Sequence, residues 1–123
     1  MATIQEKIDE AVRSTLAEAF RCVGLDSYAV VASEFVGSSC WLPNHYETVP
    51  KFVNWLTIGA VRKHGSDLSL PCEMLREIAL RIENACFAAS EHDEDSEADV
   101  EKELNVAKQA LEALRKRASK EAP

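Results

Sequence analysis

Pro71–Ser90, PCEMLREIALRIENACFAAS, is the stretch whose reading decides the fold. At about 100° per residue, Met74, Leu75, Ile78, Ala79, Ile82, Ala85, Cys86 and Ala89 fall on one broad arc of a helix. That arc is wider than the apolar stripe of an ordinary surface helix. Leu80 and Phe87 lie outside it, seven residues apart and nearly in line. Glu73, Glu77, Arg81 and Asn84 mark a wet face, where Glu77 precedes Arg81 at a favourable i, i+4 spacing. A helix apolar over one broad side and part of another needs more than one neighbour. The stretch is therefore expected to be a central helix with the others packed around it.

Downstream comes an acidic segment, EHDEDSEADVEKE at 91–103, with eight of the chain's 21 acids and one of its 14 bases. Thirteen of each remain elsewhere, so the whole net charge of −7 sits in this segment. Ser96 suits a helix N-cap, and Glu97, Asp99 and Glu101 suit the first turns, where negative charge complements the helix dipole. In the helix that follows, Val100, Leu104, Ala107, Leu111, Leu114 and Ala118 make a heptad-like seam about two and a half repeats long. Glu112 and Lys116 form an i, i+4 pair, and Arg115, Lys116, Arg117 and Lys120 crowd its end, again matching the dipole.

Upstream of the central stretch, Thr3 and Glu6 have the spacing of a capping box. Ile4, Ile8, Ala11, Val12, Thr15, Leu16, Ala19, Phe20 and Val23 then follow at helical spacing, and Gly24 is placed to close the helix. This predicts a helix over 4–22. Residues 25–36 fit a helix capped by Asp26 or Ser27, with Tyr28, Val31 and Phe35 on one side, better than a strand, because no second strand is there to pair with it. GSSCWLPNHYETV at 37–49 has no periodicity and reads as a long loop. Pro50 suits the start of a helix over 50–64, with Phe52, Val53, Leu56 and Ala60 as its stripe and Trp55 and Ile58 beside it. Arg62, Lys63 and His64 fill its last turn before Gly65, and a turn over 65–70 leads into Pro71.

The fold class this implies is all-α: a single domain over 1–123, with four or five helices around a central helix and a long irregular loop. At 123 residues a chain buries a core without disulfides or metal. No apolar run approaches the ~20 residues of a membrane span, and the charged start MATIQEKIDEAV lacks a signal peptide's apolar stretch. The expected location is cytoplasmic. Cys22, Cys40, Cys72 and Cys86 contain no CxxC pair and read as free thiols in a reducing compartment.

Motifs with chemistry are scarce. Gly37-Ser38-Ser39-Cys40-Trp41 approaches the signature of papain-like cysteine proteases, but Val36 stands where a cysteine belongs and a serine is inserted. A Cys40 nucleophile with His45 or His64 remains as an enzymatic alternative. Asp93, Asp95 and Glu97 open like a calcium loop, yet Ala98 and Leu104 occupy the positions that need glycine and glutamate. The three histidines share no ligand spacing, and no glycine-rich phosphate loop is present. No cofactor or metal is expected. Helices 50–64 and 71–89 could form a helix-turn-helix, but the second carries Glu73, Glu77 and Glu83 against Arg76 and Arg81, where a duplex needs a basic face. A DNA-binding regulator is thus the other alternative.

The function expected is non-enzymatic protein–protein interaction, as a small acidic regulator, adaptor, chaperone or inhibitor. An accessory protein of the kind microbes and phages encode fits the size. Asp93, Glu94, Asp95 and Glu97 would steer a basic partner, and Trp41 and Tyr46 would anchor one from the aromatic loop. The C-terminal seam would pack on its own domain, or join a homodimer through that helix.

Overall fold

The first helical rod is unbroken but not uniform. It comprises α1 (Ile4–Glu10), a π-helical segment (Ala11–Leu16) and α2 (Ala17–Cys22), and the joining residues Glu10 and Leu16 keep right-handed helical φ and ψ. Its bounds are those expected, while the π segment has no counterpart in the sequence pattern. The i→i+5 pattern holds more residues per turn, and three consecutive side chains, Thr15, Leu16 and Ala17, end up buried. Gly24, at φ 80°, closes the rod, because an L side chain there would be strained. Its N–H donates to the Arg21 carbonyl (3.0 Å), and that of Leu25 donates to the Phe20 carbonyl (2.9 Å).

This computed structural model describes residues 4–35, 45–64, 69–90 and 96–121, apart from the side chains of 5, 45–48, 69–72, 90 and 118–121. The capping box at Thr3 lies outside the described residues. Helix α3 (Asp26–Ser33) takes up the stretch that is ambiguous in sequence. Its N-cap is Leu25, with no side-chain cap hydrogen bond, so Asp26 and Ser27 are inside the first turn instead of capping it. Its core side is Ala29 and Ala32, whereas Val31 faces solvent. Small residues let this short helix lie close on the rod, and Tyr28 and Phe35 flank the contact, half buried.

Helix α4 (His45–His64) starts five residues before Pro50, so 45–49 are helical and not loop. Proline's fixed φ is helical, and at the sixth position it costs one backbone hydrogen bond without forcing an end. Helix α5 (Ser69–Ser90) likewise starts two residues before Pro71, which falls in the first turn. Helix α6 (Ser96–Glu121) begins at the expected serine. Among the described residues there is no strand.

The central helix is α5. It packs against α1, the π segment, α2, α4 and α6, and its longest contact is with α6. Leu75, Ile78, Ala79, Ile82, Ala85, Cys86 and Ala89 are buried, and Met74 is half buried. From α6, Val100, Leu104, Ala107, Leu111 and Leu114 are buried against the rest of the chain, so this seam is filled from within its own fold. Arg81 clasps the pair from the edge: Nε donates to Glu77 (2.8 Å) and Nη1 to Glu103 (3.2 Å). Helix α4 adds Val49, Val53, Leu56 and Ala60, and stacked rings of Phe35 and Phe52 (4.8 Å) tie α3 to it.

Two ion-pair groups fix the direction of the rod. Lys7 meets Glu101 (2.6 Å) and Glu97 (3.7 Å), and further along Glu18 meets Arg115 (3.7 Å). Both helices advance in the same sense between these points, so the rod and α6 run parallel.

Candidate interaction surface

Grooves cross the described surface. One, about 600 Å³, lies between the rod and α6, lined by Glu6, Lys7, Glu10, Ser14, Glu101 and Lys108 among others. Two of its charged groups, Lys7 and Glu101, serve one another, whereas Lys108 enters no ion pair among the described residues. The hydrogen bond from Lys7 pulls the Glu101 carboxyl below its ordinary range, and the same bond raises the Lys7 ammonium. Glu10 accepts from the Ser14 hydroxyl, which lowers its carboxyl, and from Arg13. This is a seam stitched by exposed ion pairs, each worth little singly.

Another groove, about 420 Å³, lies between α4 and α5. Asn54, Thr57 and Ile58 line it from α4, and Glu73, Arg76, Glu77, Ala79, Leu80 and Glu83 line it from α5. It adjoins a hollow of about 200 Å³ that shares Thr57, Ile58 and Arg76 and extends along α4 to Val61 and Arg62. Helix periodicity explains the lining: 54, 58 and 61 recur on one side of α4, and 73, 76, 80 and 83 on one side of α5.

This groove differs from the first in what it leaves open. Leu80 is 47 % exposed and Ile58 40 %, with Trp55 at 66 % and Phe87 at 56 % on the same outward side of the two helices. Thr57 is only 4 % exposed, and its hydroxyl oxygen has no hydrogen-bond partner. A helical threonine ordinarily bonds back to the preceding turn, and a buried hydroxyl without a partner costs ~1–3 kcal/mol. Burial pushes the Glu83 carboxyl up. Among the described residues Glu73, Arg76 and Glu83 enter no ion pair, whereas Glu77 is held by Arg81.

Of the residues singled out in the sequence as partner-binding, only Glu97 has a described side chain, and it is not part of this groove. Glu97 is in the first turn of α6, 67 % exposed at its side chain, and faces Lys7. Tyr46 is in the first turn of α4, its side chain outside the description. Trp41, Asp93, Glu94 and Asp95 lie outside the described residues, as does Cys40. Thr57, Asn54 and Glu83 were missed. The available signal was Leu80 and Phe87, apolar residues off the arc, with Ile58 and Trp55 off the stripe of α4.

The described cysteines are poor nucleophiles. Burial, followed by the nearby Asp9 charge, pushes the Cys86 thiol up to about 12, and burial also raises Cys22. A reactive cysteine needs the opposite shift. Among the described residues no three His, Cys, Asp or Glu side chains are placed to hold a metal ion, and no helix is long and apolar enough to cross a membrane. Comparison with known protein families, curated proteins and solved structures gives no match.

Proposed function

We propose that this chain is a non-enzymatic protein-interaction module whose docking surface is the outward face of α4 and α5. One observation carries the reading: Leu80 and Ile58, both large and apolar, stand exposed at a groove lined by α4 and α5. Apolar side chains left in water gain on being covered, at about 25 cal/mol per Å². A photo-crosslinking side chain in place of Asn54, on the groove rim, is expected to give protein adducts that a Leu80→Ser change removes. The same group at Glu112, exposed on α6, is expected to give none. Equal labelling from both positions overturns the reading.

The charge distribution favours a second contact. All of the excess negative charge lies in 91–103, which suits steering of a basic protein. Asp93, Glu94 and Asp95 changed together to serine should slow association with a basic partner and flatten its salt dependence. Unchanged association rates would remove this contact. The α4–α5 face is less suited to a nucleic-acid duplex, because Glu73 and Glu83 interrupt Arg76 along it.

A further inference from the structure

We infer that the occupant of the α4–α5 face is a second copy of this chain, joined about a two-fold axis passing near Leu80. The inference rests on the docking reading above and names its partner.

The charge on this face is the first argument. The chain as a whole carries −7, but the face does not share that excess. With Glu77 held by Arg81, the groove and its adjoining hollow present Glu73 and Glu83 against Arg76 and Arg62. A balanced face selects neither a basic nor an acidic partner. It selects one with the same balance in reverse order, which a two-fold axis supplies from an identical chain.

The order of the residues is the second argument. Along the outward side of α5 run Arg76, Leu80 and Glu83, one turn before and about one turn after the leucine. Two α5 helices laid antiparallel about Leu80 set residue i opposite a residue near 160 − i. Leu80 then covers Leu80 of the second copy. Arg76 falls beside position 84 of the second copy, within reach of Glu83 there, and the symmetric pair forms at the other end. Both charges, unpaired among the described residues within one chain, become paired across the axis. Covering the groove also dehydrates Glu83 further, which an arginine partner offsets.

Size is the third. Helix α5 has 22 residues, about 33 Å, and α4 beside it widens the face to roughly 18 Å, or about 600 Å² per copy. Twice that is at the lower end of specific interfaces, the size of an exchanging pair and not of an obligate one.

Sedimentation of the purified parent, from about 1 to about 200 μM, tests this, and a monomer–dimer equilibrium within that range is the expected result. Leu80→Glu should weaken dimerisation at least roughly tenfold while keeping the parent's helical circular dichroism, since Leu80 is half exposed in the monomer. Arg76→Glu and Glu83→Arg should each weaken it, and the two together should restore it. A parent that stays monomeric overturns the inference and leaves the docking reading to the crosslinking result. A dimer indifferent to Leu80→Glu, or charge changes that add in place of cancelling, also overturns it.

Discussion

Ile82→Asp is expected to leave the chain unfolded at room temperature. Ile82 has no exposed surface and sits mid-way along α5, in the cluster that α4, α6 and the first rod share. The change removes an isoleucine's packing, worth ~2–5 kcal/mol in large-to-small series, and puts a carboxylate where no water reaches. The sum is comparable to the ~5–15 kcal/mol that holds a domain of this size. Glu73→Ala, on the exposed side of the same helix, should stay within ~0.5 kcal/mol of the parent in a thermal melt. If Ile82→Asp melts with the parent, the orientation assigned to α5 is wrong.

Leu111→Glu should destabilise the fold by several kcal/mol. Leu111 is 7 % exposed and belongs to the α6 row that closes over α5. The introduced glutamate has a longer stem than the aspartate of the Ile82→Asp variant and sits nearer the edge, so part of its cost is relieved by reaching for water. Urea denaturation followed by circular dichroism measures the loss as a lowered midpoint at unchanged slope. A variant that is as stable as the parent, and monomeric where the parent is dimeric, would instead assign the seam to an intermolecular contact. It would also displace the α4–α5 face as the dimer interface.

The parts of this fold that can be read from sequence are those governed by one periodicity at a time. The α5 arc and the α6 row follow the 3.6-residue repeat, and burial follows them along α5 and from Val100 to Leu114, with Met74 half buried at the arc's edge and the Ala118 side chain outside the described residues. Prolines mislead in a consistent way. Pro50 and Pro71 each suggest a helix start, and each helix begins earlier, since a proline near the start sacrifices one N–H without stopping the coil. The π segment leaves no trace in the pattern, because Val12, Thr15, Leu16, Ala19 and Phe20 already have ordinary helical spacing, and its mark, the burial of Ala17 beside Leu16, shows only in the structure. The candidate surface is half visible. Leu80 announces itself by its place off the arc, and the expectation of a second neighbour for α5 comes from it. Thr57 carries no signal, because a threonine beside an apolar stripe reads as filler until its hydroxyl is known to be buried and unbonded.

The parallel course of the first rod and α6 has a mechanical consequence. Lys7 lies beside Glu101 and Glu18 beside Arg115, so Ile4 sits at the start of α6 while Glu121 lies beyond its other end, about 39 Å from Ser96 along a 26-residue helix. Tension drawn between Ile4 and Glu121 pulls the two rods in opposite directions along their common length. The contact is loaded in shear, and its turns must give way together. An antiparallel pair held at the same two residues would have both handles at one end and would peel open a turn at a time. The resistance of such a joint is set by a rate of rupture and not by the equilibrium stability of the fold.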